Sequence, residues 1–234
     1  RPIVDSGETW RFARGTEPFS DSPLAWTAPD FDDSQWDLGS SGFGYGDDDD
    51  ATILDDMKGS YTAVALRKTF DVSRDLLDAP ETIALVLRFD DGFCAWLNGV
   101  ELARKNCPQA VVFNGRATAD HEARTEEFFT IPRELLKQEN NLLAIAGFNT
   151  SPLGDDFTLN PRVVQLRPAG RGQNHIPNSG FENAIAPNEW RIEGTHELSE
   201  RITGDSHGGV ACLELVATGK GDSMCNRLEI DTSP

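Results

Sequence analysis

The stretch FCAWLNGVELAR, residues 93–104, decides the fold. Asn98-Gly99 suits the type I′ turn, whose two central residues both need positive φ, and it is flanked by alternating apolar residues. It predicts a two-residue β-hairpin with Leu97 opposite Val100 and Trp96 opposite Glu101. Strand alternation then sets Phe93, Ala95 and Leu97 on one face and Cys94, Trp96 and Asn98 on the other. Continued without interruption, the register places Cys94 opposite Ala103.

The same period of two recurs on both sides of the hairpin. In ETIALVLRF (81–89), Ile83, Leu85, Leu87 and Phe89 alternate with Thr82, Ala84, Val86 and Arg88; in YTAVALRKTF (61–70), Val64, Leu66 and Phe70 share a face. NLLAIAGF (141–148) and FTLNPRVVQL (157–166) are further strand candidates, and PRELLK (132–137), with Pro at a helix start, is the one helical candidate. Short strands separated by Gly, Asp and Pro predict an all-β antiparallel sandwich.

The chain has 234 residues, 38% of them apolar, with five Trp and thirteen Phe, which is enough for a real core. RPAGRGQNH (167–175) reads as a linker. The expected organisation is a first β-sandwich over 1–168, a linker over 169–175 and part of a second β domain over 176–234. In the latter, VACLELVATGKGDSMCNRLEI (210–230) reads as a hairpin; a turn at Thr218-Gly219 would bring Cys212 opposite Cys225. Net charge is −18, from 39 acidic and 21 basic residues. Such a surface disfavours nucleic acid and suits cations or neutral sugars. No apolar run is long enough to span a bilayer. The start at Arg1 is read as that of a processed or excised piece of a longer protein. Cys94, Cys107, Cys212 and Cys225 form no CxxC pair. They fall as two local pairs, which fits two disulfides in an oxidising compartment or four buried free thiols.

Several motifs in order, TWRFARGTEP, AWTAPDFDDSQW, GFGYGDDDD, ALRKTFDV, LRFDDGFCAWLNGVELARKN and NNLLAIAGFNTSPLGDDFTLNPRV, resemble a galactose-binding-like jelly-roll module of large secreted bacterial proteins. The resemblance covers roughly residues 8 to 166. It implies a non-catalytic module, of a planctomycete type that sits beside spore-coat-type kinase-like, lamin-tail, phosphoesterase or glycoside hydrolase domains. Residues 174–199 with 213–230 are similar to the first half of a second carbohydrate-binding-like jelly roll. The chain departs from the pattern at Asn149, at Gly154-Asp155-Asp156 and at Asn160, where the family often carries His, Ser-Ser-Asp and Asp. Arg104, Asn106 and Pro108 match its Arg-x-Asn-x-Pro stretch.

Ten Asp and no Lys or Arg lie between Asp30 and Asp56. Within this run, Asp47, Asp48, Asp49 and Asp50 are the candidate metal ligands, with Ca²⁺ as the expected cofactor; the alternative is a solvated acidic loop. Asp90 and Asp91 could grip sugar hydroxyls or a cation, or accept backbone N–H bonds. Trp96 could stack on a pyranose ring with Asn98, Glu101 and Arg104 around it, or lie covered by other strands. Arg104 is expected to pair with Asp90 or Asp91, and Phe31 and Trp36 to pin a loop onto the sandwich. His121, His175, His196 and His207 are scattered, and no nucleophile elbow, P-loop or dinucleotide motif is present. The expected function is therefore a non-catalytic accessory module of a secreted or cell-surface multidomain protein, whose partners are carbohydrate and other domains of the same polypeptide. The alternatives are a calcium-stabilised structural or adhesion spacer, and a fragment of a glycosidase or phosphoesterase whose catalytic domain lies elsewhere.

Overall fold

The hairpin forms as its turn dipeptide demands: φ is 54° at Asn98 and 84° at Gly99, with Leu97 opposite Val100 and Trp96 opposite Glu101. The computed structural model describes residues 2–46, 50–166, 190–193, 200–203, 211–214 and 227–230. In chain order the strands and helix of the first part are β1 (Pro2–Val4), β2 (Thr9–Arg14), β3 (Asp37–Ser40), β4 (Phe43–Tyr45), β5 (Thr52–Ile53), β6 (Ala63–Phe70), α1 (Arg74–Asp78), β7 (Thr82–Asp90), β8 (Gly92–Leu97), β9 (Val100–Lys105), β10 (Glu127–Thr130), β11 (Asn141–Phe148) and β12 (Phe157–Leu166). They build two sheets. One runs β10-β7-β12-β4-β5, with β1 also on β12; the other runs β3-β2-β6-β11-β8-β9. All pairings are antiparallel except β4 with β5. The first part is an all-β sandwich.

The core lies between the sheets and follows the period of two. Ile83, Leu85, Leu87 and Phe89 of β7 and Phe157, Leu159 and Val163 of β12 meet Val64, Leu66 and Phe70 of β6, Phe93, Ala95 and Leu97 of β8, and Leu143 and Ile145 of β11. Each large aliphatic or aromatic side chain so buried contributes about 1.5–3 kcal/mol. Pro161 sits inside β12 without breaking it. On one side β12 pairs continuously with β7; on the other it is paired by β4 up to Leu159 and by β1 from Val163. Pro161 falls in the gap between β4 and β1, where no amide hydrogen is needed.

Three local features differ from expectation. A register shift between Ala95 and Trp96 makes Leu102 an inserted residue, so Cys94 faces Arg104 rather than Ala103. The bulge also turns Glu101 and Arg104, three residues apart, to the same face. Residues 133–135 form one turn of 3₁₀ helix, not an α-helix. The α-helix is instead α1, capped by Ser73, whose hydroxyl accepts from Leu76 N at 3.4 Å; five residues are too few to show a helical period.

The outer face of the second sheet is covered by the chain's own loops. Ala63, Ala65, Ala144 and Ala146 leave a shallow floor on which Phe19, Trp26, Trp96 and Phe148 pack, with Phe31, Trp36 and Phe113 at the margin. Trp26 meets Trp96 edge-on at 5.4 Å and lies 6.0 Å from Trp36, while Phe31 meets Trp36 edge-on at 5.9 Å. Phe31 and Trp36 thus do pin a loop onto the sandwich. Arg67 of β6 anchors this cover. Its side chain is 2% exposed; Nε donates to Asp33 at 2.7 Å, and the guanidinium also donates to the carbonyls of Trp26, Ala28 (3.1 Å) and Phe31 (3.2 Å). A buried guanidinium is tolerated only when its donors are met in this way.

The chain divides into two compact units, residues 1–168 and 169–234. In the second, β13 (Trp190–Glu193) pairs antiparallel with β16 (Arg227–Ile230), and β14 (Glu200–Thr203) with β15 (Ala211–Glu214). Cys225 and the turn at Thr218-Gly219 lie outside the described residues, and so does the expected pairing with Cys212.

Replacing Arg67 by Ala should destabilise the first unit by about 3 kcal/mol, since Asp33 and three loop carbonyls lose their donor. Urea unfolding measures this, and the tryptophan emission of the folded variant should shift to the red as the cover loosens.

Candidate functional site

Asp91 closes β7 against β8 and spends both carboxylate oxygens on nearby chain. Oδ1 accepts from His121 N at 2.9 Å, and Oδ2 accepts from Thr150 N and Oγ1, each at 2.8 Å. Its carbonyl accepts from Asn106 Nδ2 at 3.1 Å. Of the two expected roles it fills the structural one, tying the loops at 106, 121 and 150 to one point. Asn98 is also a structural hub: its amide donates to Leu135 O (2.7 Å) and to Asn141 Oδ1 (3.2 Å), and its Oδ1 accepts from Leu142 N (2.9 Å).

Of the two readings of Trp96, the covered one holds, and it offers no stacking platform. It is 3% exposed, and Trp26 occupies the place a sugar ring would take. Arg104 does not reach Asp90 or Asp91. The bulge in β9 places it beside Glu101, which accepts from Nε at 2.6 Å and from Nη2 at 2.7 Å, with both side chains 42% exposed. A bidentate pair this exposed adds little stability. Trp96, Asn98, Glu101 and Arg104 therefore share a strand surface but make no open site.

Asp90 instead faces two partners that sequence reasoning did not single out. One carboxylate oxygen each from Asp90, Glu122 and Asp156 lie within 4.8 Å of one another; Asp90 is buried, Asp156 half-buried and Glu122 exposed. Two oxygens bound to one calcium at ~2.4 Å can be no more than ~4.8 Å apart, so the spacing suits that ion. Burial, together with the charges of Glu122, Asp91 and Asp155, raises the Asp156 carboxyl above its ordinary range. Burial and the nearby Asp156 and Asp90 likewise raise the Tyr45 hydroxyl, which donates to Gly154 O at 3.0 Å. Asn149 completes the frame, donating to Asp156 O at 2.9 Å and to Tyr45 Oη at 3.3 Å. Glu122 and Asp156 belong to loops far apart in sequence; the only signal was that Asp156 ends the triplet Gly154-Asp155-Asp156, singled out in the sequence as a departure from the pattern it resembles.

Of the acidic run, Asp47, Asp48 and Asp49 lie outside the described residues. Asp50 packs over Gly44, where a Cβ would overlap both its carboxylate and Phe157 O, and it is not one of the three converging carboxylates. His121 stacks on Phe89 with ring centroids 4.2 Å apart, and its Nε2 lies 2.9 Å from Glu127 Oε1, which also accepts from Lys105 Nζ at 2.6 Å.

Two clefts flank the covering loops. One, about 210 Å³, is lined by Phe19, Pro23, Leu24, Trp26, Val111 and Phe113. The other, about 300 Å³, is lined by Phe12, Arg14, Glu17, Gln35, Trp36 and Asp37 among others. Trp10, Trp26 and Trp96 are buried, so among the described tryptophan side chains Trp36 alone keeps surface open to solvent. No described helix is long and apolar enough to cross a membrane.

No protein-family model matches the sequence, and no curated protein matches it. Solved structures that resemble it are glycoside hydrolase family 2 β-glucuronidases and β-glycosidases. A β-glycosidase from Bacteroides vulgatus is 14% identical over 94% of this chain and 25% of its own, with a TM-score of 0.41. The Bifidobacterium dentium β-glucuronidase is 20% identical over 63% of this chain and 20% of its own, with a TM-score of 0.41. A family 2 glycosyl hydrolase from Bacteroides cellulosilyticus is 14% identical over 68% and 20%, with a TM-score of 0.42. The chain thus spans a quarter or less of the length of these proteins, and similarity at this level carries no conclusion about activity.

Asp91→Ala should cost about 2–4 kcal/mol, because three donors lose a charged acceptor. Thermal unfolding checks the cost, and amide exchange should quicken first at His121 and Thr150.

Proposed function

We propose that residues 1–168 form a non-catalytic accessory module of a longer secreted or cell-surface protein, and that the module contacts carbohydrate in the cleft beside Trp36. The observation that carries this reading is the half-open indole of Trp36 at the edge of a cleft that also presents Arg14, Thr16, Glu17, Gln35 and Asp37 beside Phe12, Ala13, Pro18 and Phe19. An aromatic face accepts the C–H side of a sugar ring, while planar and charged groups order its hydroxyls. Arg14, Glu17, Gln35 and Asp37 supply such groups. Arg14 is already oriented: its guanidinium lies over the Phe12 ring at 4.9 Å, donates to Asp37 and lies 3.0 Å from Asp56. The acidic, neutral-ligand-friendly surface read from composition agrees with this chemistry.

A glycan-array screen of the whole chain tests the reading. Binding should appear for at least one neutral glycan class and fall at least tenfold with Trp36→Ala while Trp36→Phe retains most of it. A blank array, or binding indifferent to Trp36, would reject carbohydrate contact at this cleft.

A second reading, a spacer stiffened by calcium, is favoured by the convergence of Asp90, Glu122 and Asp156. A cation between them would relieve their mutual repulsion and lock the 122 and 156 loops together. Millimolar calcium should then raise the melting temperature relative to chelator, and Asp156→Asn should abolish that difference. Identical melting in calcium and in chelator would remove this reading.

A further inference from the structure

The strongest chemistry left unused is the thiol pair of the first unit. We propose that Cys94 and Cys107 form a dithiol–disulfide couple that clasps residues 107–113 onto the outer face of the second sheet. This rests on local geometry and not on the carbohydrate reading.

Both cysteines are free thiols, Cys94 wholly buried and Cys107 partly so. Strand alternation turns Cys94 to the outer face, opposite Arg104. The chain leaves β9 after Lys105 and bends at Asn106, whose φ is 49°. That bend is held from both sides: the Asn106 amide donates to Asp91 O at 3.1 Å, and its carbonyl accepts from Thr118 N at 2.9 Å. Cys107 is thereby folded back over the face that bears Cys94. The two join one apolar cluster with Ala117, Val111 and Phe113. Residues 106–126 contain no strand or helix. The far half of this segment is fastened by Thr62 Oγ1 donating to Gly115 O at 2.6 Å, by Ala117 N donating to Asn149 O at 3.2 Å and by His121 N on Asp91. The near half, 107–113, rests on side chains, and its Val111, Val112 and Phe113 form one wall of the cleft of about 210 Å³ against Phe19 and Trp26.

The pair is also polarised. The neighbouring Cys94 thiol, with help from Arg104 against the cost of burial, lowers Cys107 below the ordinary thiol range, and Cys107 together with burial raises Cys94; the Cys107 thiol itself donates to Pro108 O at 3.4 Å. Cys107 is thus the nucleophile and Cys94 the resolving thiol. With a small-molecule disulfide as oxidant, the Cys107 thiolate attacks one of its sulfurs, forming a mixed disulfide and releasing one small thiol. The Cys94 sulfur then gives up its proton to solvent, attacks Cys107 Sγ and expels the second small thiol. Two protein thiols become one disulfide, and one small disulfide becomes two small thiols.

The test uses the full chain, reduced and then treated with oxidised glutathione, trapped by alkylation and mapped by peptide mass spectrometry, so that Cys212 and Cys225 are read separately. The wild type should yield linked peptides containing Cys94 and Cys107. Cys94→Ala should halt with glutathione on Cys107, whereas Cys107→Ala should leave Cys94 unmodified. Oxidation should raise the melting temperature by roughly 6–12 °C, the shift expected for closing a loop of this length, and slow amide exchange across residues 107–113. Free alkylation of both wild-type thiols after oxidation, or a stable glutathione adduct on wild-type Cys107, would overturn the couple. A linked pair that leaves exchange at 107–113 unchanged would overturn the clasp.

Discussion

A guanidinium enclosed on the outer face of a β-sheet sets the character of this molecule. Arg67 points away from the interior, where an alternating strand would ordinarily present a side chain to water, yet it is covered. It meets one carboxylate and the carbonyls of Trp26, Ala28 and Phe31. Because a buried charge without partners is so costly, these acceptors must be in place for the sheet surface to close. The alanines at 63, 65, 144 and 146 make the complementary provision, leaving depth for rings to lie on the sheet. Charge and volume together bring the 19–36 segment down over Trp96.

That cover moves the place where a ligand can be met. A bare second sheet would offer Trp96 flanked by Glu101 and Arg104, a broad aromatic and polar surface. The closed form buries Trp96 beneath Trp26 and leaves Trp36 at the rim, beside Arg14, Gln35 and Asp37. The function proposed for the first unit therefore belongs to the seam between the covering loop and β2, not to the sheet. The segment after β9 covers the other part of the outer face, and there Cys107 and Cys94 join one apolar cluster as free thiols.

The converging carboxylates at Asp90, Glu122 and Asp156 arise from a different constraint. Asp91 ties the loops at 106, 121 and 150 to the end of β7, and Asn149 holds the backbone at 156. With those loops drawn to one end of the sandwich, like charges are placed together whether or not the sequence around each is unusual. Burial, together with the charges of Glu122, Asp91 and Asp155, raises the Asp156 carboxyl there.

By itself, the sequence determined β6 to β9, β11 and β12 and the side their residues take up to the bulge in β9, because a period of two and the Asn98-Gly99 turn act over a few residues and need no distant partner. Hence the interior positions from Ile83 to Phe89, from Val64 to Phe70 and from Phe93 to Leu97 were legible in advance, as was the role of Phe31 and Trp36. Tertiary structure alone decided which outer faces are open. Whether Trp96 meets water depends on Arg67, Asp33 and Trp26, and the partners of Arg104 depend on one inserted residue at Leu102 that alternation cannot reveal. Glu122 and Asp156 joined Asp90 for the same reason: they sit on loops whose meeting is enforced by hydrogen bonds to Asp91 and Asn149, and such long-range closure leaves no periodic trace in the chain.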